Sequence, residues 1–318
     1  MPTKDEPIRM DFIQEIVNVD EEKRILRVKL IPDPERYEIK EIDGEKGFYD
    51  KFDHVFIPLK AMEESFKKSG PTPLYYSPRR FNDTLEYIKS RIQEIRNHLD
   101  GTQDNKYEFS DVSEEFLETL PQEERKFVIL SIDLINSTRM SQTLSSTENV
   151  KIISLFLKEM AMLIHAFNGY VLKFLGDGII AYFPEPNFIG QNDNALDCAA
   201  SMKLLIYNGI NPMLKEKGLP ELNFRIGLDS GEATIITVGA DKIKKHKDLI
   251  GETINIAAKI QSVANKNEIL VGEATVKNAH TFWRKLLIKK NPVEKWDYKD
   301  RRTGTSYELY FLKEPTTT

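Results

Sequence analysis

The chain has almost no cysteine, no excess of basic charge and no long apolar run. Its 318 residues contain one cysteine, so no disulfide framework can form and a reducing cytosol fits. That residue, Cys198, lies in the apolar run ALDCAASMKLL and reads as a small buried thiol rather than a reactive one. Lysine and arginine number 45 against 50 acidic residues, a formal charge of −5, which argues against a general nucleic-acid or acidic-membrane surface. No segment approaches the roughly 18 uninterrupted apolar residues of a membrane span, and the opening MPTKDEPIRMDF has no apolar signal core. The expectation is a cytoplasmic protein with neither nucleic acid nor membrane as partner. With 40% of residues hydrophobic, the chain can build one large domain or a domain with an appendage.

Three stretches near the N-terminus, RILRVKLIP, RYEIKEI and HVFIPL, read as strands around the turn-like Pro32-Asp33-Pro34 and Asp43-Gly44. This smaller β-rich region, 1–80, carries no motif with an assignable role, and an unknown regulator acting on it is left open. After the Pro-rich break GPTPLYYSPRR, residues Phe81, Leu85, Ile88, Ile92, Ile95 and Leu99 step alternately by four and three. That heptad spacing fits a helix lying on its own domain or one pairing two chains. From Asp100 to Glu124 the chain is acidic and polar, a linker with one short helix, so 81–123 reads as helix and linker.

From 124 onward the periodicity is regular. FVILSIDL, 127–134, is a continuous apolar run of the kind a buried central strand shows, followed by a helical pattern from about Thr147 to Ala166. GYVLKFL and GIIAYFP flank a tight turn at Gly176-Asp177-Gly178 and form a hairpin, and a second long helix runs from about Asp193 to Lys215. FRIGLDSGEATIITVG reads as another strand pair, turning around Asp229-Ser230-Gly231. GETINIAAKIQSVA reads as a helix, and EILVG, KLLIKK and SYELYFL as further strands. The order predicts, over 124–318, an α+β sandwich of ferredoxin-like type, an antiparallel-containing sheet with helices on one face.

Asp133 ends its apolar strand and Asp177 occupies the hairpin tip. If the two strands lie side by side, the carboxylates converge on the oxygen-rich environment that Mg²⁺ or Mn²⁺ prefers. The sequence LINST leads into a helix start, where free backbone N–H groups and the hydroxyls of Ser137 and Thr138 are available to phosphate. Each residue alone is equally a cap or a turn residue. Two charges at the ends of apolar strands, an expensive place to leave them unpaired, favour a metal beside an anion cradle, hence a nucleoside triphosphate. Asn255 and Lys259 lie four apart on one helical face, and Lys173 with Asp248 offers one donor and one acceptor to a base edge.

The blocks FVILSIDLINST, KFLGDGIIAYF, FRIGLDSGEA and DLIGETINIAAKIQSVANKNEILVG, in this order, closely resemble the catalytic domain of class III adenylate and guanylate cyclases over about 124–280. The resemblance implies that Asp133 and Asp177, with the Leu134 carbonyl, hold two divalent ions, Mg²⁺ or Mn²⁺. It also implies that Lys173 and Asp248 read the base and that Asn255 orients the ribose. Lys259 stands where the family usually has a transition-state arginine, a departure that keeps the charge and loses the planar fork. The reaction implied turns a nucleoside triphosphate, ATP first, into a 3′,5′-cyclic monophosphate and pyrophosphate. The site implied forms between two catalytic domains, hence a homodimer. The alternatives are a pyrimidine cyclase using UTP or CTP, as in bacterial phage defence, and a nucleotide-binding sensor of weak activity. The diguanylate cyclases share the hairpin position, but Leu175-Gly176-Asp177-Gly178-Ile179 lacks the acidic residue and glycine of their signature.

Overall fold

The computed structural model describes residues 10–20, 25–69, 80–81, 83–102, 113–184, 190–239, 246–291, 295–300 and 303–313. They fall into two compact units, one within Met1–Leu74 and His280–Phe282, the other within Tyr75–Ala279 and Trp283–Thr318. In the first, β1 (Phe12–Asp20) and β2 (Ile25–Pro32) pair antiparallel as a two-stranded ribbon. Strands β3 (Tyr37–Ile42), β4 (Glu45–Asp50) and β5 (Val55–Pro58) make an antiparallel meander followed by α1 (Leu59–Ser69). The β3–β4 turn is Asp43-Gly44, with φ of 53° and 79°, the positive pair a two-residue hairpin needs. Arg36, its side chain 3% exposed, bonds Asp11 through Nη1 (2.6 Å), Asp50 through Nε (2.8 Å) and Asp53 through Nη2 (2.9 Å).

The second unit starts with α2 (Thr84–Asp100) and α3 (Ser113–Thr119), then β6 (Glu124–Leu134), α4 (Ser137–Thr143), α5 (Ser146–Ala166), β7 (Tyr170–Leu175) and β8 (Gly178–Pro184). Helix α6 (Gln191–Leu205) passes through a π-helical turn (Ile206–Ile210) into α7 (Asn211–Glu216). Next come β9 (Phe224–Val238), β10 (His246–Ile250), α8 (Glu252–Val263), β11 (Glu268–Gly272) and α9 (Glu273–Asn278). Helix α10 (Thr281–Leu286), β12 (Leu287–Lys289) and β13 (Leu309–Leu312) close the chain. The sheet runs β12-β13-β11-β9-β6-β8-β7, with β10 on the outer half of β9. Every pairing is antiparallel except β9 with β11.

The expected α+β sandwich is present, with two corrections. Helices cover both faces of the sheet, not one. All of Phe127–Ile132 is buried, so β6 is apolar on both sides and both need cover. On one face Val128, Leu130 and Ile132 join α2, α5 and α6 in the main core, and on the other Phe127 and Ile129 pack with Leu117 of α3 and Ala257 of α8. The second correction is that Asp229-Ser230-Gly231 is no turn. Strand β9 runs unbroken through it, paired with β6 from Phe224 to Thr234. Gly231 serves as a seat for α8, since a Cβ there would lie 2.9 Å from that of Thr253.

Helix α2 uses its apolar stripe within its own unit. Ile88, Ile95 and Leu99 are buried against α5, α6 and the π-turn, and Arg91 bonds the buried Glu159 through Nε (3.1 Å) and Nη2 (2.7 Å). Asp83 caps its start and Gly101, at φ 71°, ends it. Helix α5 opens on a capping box of Ser145 and Glu148.

Candidate active site

Register brings the two aspartates together. Asp133 is the last β6 residue paired with β8, opposite Gly178, and Asp177 immediately precedes Gly178 in the two-residue turn from β7. Gly176 takes φ 67° there, which a glycine adopts without strain. Gly178 is required for space: a Cβ would sit 2.9 Å from Asp133 Oδ1 and 2.9 Å from the Ile132 carbonyl, so its absence keeps the room over the carboxylate open. The Asp133 carboxyl is pushed above the ordinary carboxylate range, first by burial and then by the charge of Asp177, against a Leu134 N–H bond and the Arg225 guanidinium. A half-buried carboxyl held up by burial and by a neighbouring carboxylate is what a cation would relieve. Ile135 donates to the Asn223 carbonyl (2.7 Å), so the alternation of an antiparallel ladder turns the Leu134 carbonyl toward β8, one position past the last pair. Among the described residues no group of three or more His, Cys, Asp or Glu side chains is placed to hold an ion. A cation here would take its other ligands from backbone carbonyls, water or phosphate oxygens.

Arg225 sits across from Asp133 in the β6–β9 register. Its Nη1 donates to the Ser262 carbonyl at 3.4 Å, and its Nε is buried without a partner. Sequence reading passed over it, although a lone cation in the apolar strand FRIGL opposite an aspartate was the available signal. Ser137 and Thr138 open α4 directly after β6; Asn136 at the cap position takes φ 64° and makes no side-chain cap bond. Ser137 is half-buried and Thr138 exposed.

A cavity of about 590 Å³ lies elsewhere on the same unit, lined by Lys173, Leu249, Ile250, Asn255, Lys259 and Tyr298 among others. Asp133 and Asp177 are not part of its wall. Lys173, on β7, and the buried Asp248, on β10, come from segments 75 residues apart and meet with Nζ–Oδ2 at 2.6 Å; Asp248 Oδ1 also accepts the Leu249 N–H at 2.8 Å. Asn255 and Lys259 both project into the cavity from α8. Asn255 is exposed there rather than packed among apolar neighbours, which accounts for an otherwise poor helix-interior residue. Lys259 pairs with Asp297 at 2.7 Å, and its Nζ lies 5.6 Å from the Trp296 ring centroid. Neither Trp296 nor Asp297 was legible in the sequence, where that stretch shows no periodicity.

The structure therefore places the predicted residues in two groups, Asp133, Leu134 and Asp177 with Ser137 and Thr138 about the end of β6 and the β7–β8 turn, and Lys173, Asp248, Asn255 and Lys259 around one cavity. The sequence profile described as adenylate and guanylate cyclase catalytic domain matches residues 120–314. An adenylate cyclase of Anabaena cylindrica is 29% identical over 159 residues, 48% of this chain and 31% of that protein. A cytidylate cyclase of Escherichia coli is 27% identical over 157 residues, 47% of this chain and 34% of its own length. The chain thus spans about a third of the length of these relatives. In fold it is similar to the adenylyl cyclase CyaB of P. aeruginosa, with TM-score 0.53 and 19% identity over 62% of this chain and 98% of that one. The guanylyl cyclase Cya2 is similar at TM-score 0.52 and 22% identity, over 62% and 98% of the two chains.

Proposed function

The chain belongs to the adenylate and guanylate cyclase catalytic-domain family, and from that premise we propose that it converts a nucleoside triphosphate, ATP first, into the 3′,5′-cyclic monophosphate and pyrophosphate. The observation that carries the reading is the Lys173–Asp248 pair at 2.6 Å beside a cavity that Asn255 and Lys259 also line. In the pair, a donor and an acceptor stand next to each other; adenine N1 and N6 ask for that order. The base edge would enter by replacing the ion pair, Lys173 Nζ donating to N1 and Asp248 accepting from N6. Asn255 orients the ribose, and Lys259 carries positive charge to the phosphoryl group. In the reaction the 3′-oxygen bonds to the α-phosphorus, the bond from that phosphorus to the bridging oxygen breaks, pyrophosphate leaves with the electron pair, and the hydroxyl proton passes to water.

Asp133, Asp177 and the Leu134 carbonyl fit divalent cations, a reading supported by the room left by Gly178 and by the raised Asp133 carboxyl beside Asp177. Bound there, two ions, Mg²⁺ or Mn²⁺, would supply charge neutralisation for the triphosphate and a lowered pKa for the attacking hydroxyl. Arg225, beside Asp133, and the opening turn of α4 with Ser137 and Thr138 are assigned to the phosphates.

The cavity wall excludes Asp133 and Asp177, and this separation supports a homodimer in which each copy completes the other's site; a two-fold interface supplies each half once per site. On this reading residues 124–318 are the catalytic domain, and 1–80 serve a separate role.

A second reading, CTP, is favoured by the relatives named cytidylate cyclase, since cytosine N3 and N4 present the same acceptor and donor as adenine. The test is incubation of purified protein with Mn²⁺ and each of ATP, GTP, CTP and UTP, with products identified by mass spectrometry. Cyclic AMP is expected; cyclic CMP or UMP transfers the site to pyrimidines. Nucleotide bound without any cyclic product removes the enzymatic reading.

A further inference from the structure

The described residues 295–300 and 303–307 lie outside the strands of the main sheet, yet several of them are anchored firmly. Tyr307 donates its hydroxyl to the buried Asp229 at 2.5 Å and accepts the Ala274 N–H at 3.1 Å. Its backbone N–H reaches the Tyr298 carbonyl at 3.1 Å, and its carbonyl accepts the Trp296 indole N–H at 2.7 Å. The three rings are in contact, with centroids 5.9 Å apart for Trp296 and Tyr298, 6.3 Å for Trp296 and Tyr307 and 5.4 Å for Tyr298 and Tyr307. Trp296 is therefore fixed at both its ring and its nitrogen.

We propose that Trp296 is a positioning residue for Lys259, holding the ammonium at the cavity by its indole face so that a lysine can do the work of a pre-organised guanidinium. This rests on the cyclase reading above. A lysine head is a point charge on a flexible four-carbon stem, and the entropy of ordering it counts against every contact it makes. An indole face within about 6 Å attracts a cation, and here the separation is 5.6 Å. The partner at rest, Asp297, is 88% exposed; a carboxylate so hydrated gives way to a triphosphate, while the anchored indole stays. Tyr298, next to Trp296 in sequence, lines the cavity itself, so the same anchored segment both walls the cavity and places its cation.

The test is a double-mutant cycle on the full chain, read as kcat and KM. Trp296→Leu is expected to lower kcat about three- to tenfold with KM within twofold, Trp296→Phe to retain most of it, and Trp296→Leu to cost less than twofold further in a Lys259→Ala background. Equal losses in both backgrounds, or a rise in KM at unchanged kcat, overturn the proposal. A readout free of turnover runs in parallel. In protein carrying ¹³Cε-lysine, ring current should shift the Lys259 ε-methylene upfield, and Trp296→Leu should abolish the shift while the melting temperature changes little. An unshifted Lys259 resonance in wild type sinks the positioning claim, whereas a shifted resonance with no cyclic product sinks only the cyclase reading.

Discussion

Among the described residues, two groups of buried or half-buried aspartates are finished differently. In the first unit Asp11, Asp50 and Asp53 surround one guanidinium, and each accepts from Arg36 within 2.9 Å. In the second, Asp133 and Asp177 repel each other, and Arg225 acts on Asp133 through its charge while its Nη1 donates to the Ser262 carbonyl. Both sets cost desolvation. The first recovers it inside the protein and is architecture; in the second Asp133 stays raised despite the Leu134 N–H bond and the Arg225 charge, in a space kept open by Gly178 where a cation from outside fits.

Removing one member from each group gives the largest contrast. Asp133→Ala should reduce cyclic-nucleotide formation at least about a thousandfold, the scale of losing a principal charge-stabilising group, while leaving the melting temperature unchanged or slightly higher because a repulsion goes with it. A variant that unfolds, or that retains turnover, breaks the comparison. Arg36→Met should do the reverse: three carboxylates lose their cation, a change of about 3–5 kcal/mol against folding, read as denaturant-induced unfolding of the first unit. Stability within about 1 kcal/mol of wild type would show that cluster to be incidental.

Asp229 sharpens the comparison because it is buried with a phenol, not a cation, as its partner. Burial lifts its carboxyl from 3.8 to about 7, against the lowering bonds of Tyr307 and the Ser230 N–H. Because the folded value lies above the unfolded one, the stability it contributes is complete below about pH 4 and is lost as pH rises to about 7. The span, from 3.8 to about 7, sets an upper limit on the order of 4 kcal/mol. Asp229→Asn keeps an acceptor for Tyr307 and should flatten that slope, leaving the variant the more stable protein at pH 8. Superimposable pH–stability curves for the two would mean that Asp229 does not titrate in this window.

These contrasts also explain what the sequence could and could not reveal. Asp133 and Asp177 were readable because each closes an apolar strand and a two-residue turn fixes their register. The Lys173–Asp248 contact joins strands β7 and β10 across 75 residues; spacing alone offers no route to it, and the two could be paired only by their donor and acceptor chemistry and by the resemblance to the cyclases. Asp229-Ser230-Gly231 has the composition of a turn, and its true state depends on long-range packing, Gly231 under Thr253 and Asp229 against Gly272 and Tyr307. Helices on one face of the sheet could not suffice, because the six consecutive buried residues of β6 demand cover on both. Trp296 acts through a hydrogen bond and ring contacts in an irregular segment, where no period exists to detect.

The smallest effect belongs to the most exposed carboxylate. Asp297 pairs with Lys259 at 2.7 Å but is 88% exposed, and pairs of that kind are worth about 0.2–1 kcal/mol. If it only occupies the ammonium until a triphosphate arrives, Asp297→Asn should lower KM for the nucleotide by no more than about fivefold with kcat unchanged, and the difference should shrink at 0.5 M salt, where the screening length falls to about 4 Å. The contrast with Arg36 would then be complete: a cation and a carboxylate form a permanent bond where water is excluded and a replaceable one where it is not. A loss of kcat in Asp297→Asn would instead make the carboxylate part of what holds Lys259 in place, and would move this exposed pair to the architectural side of the comparison.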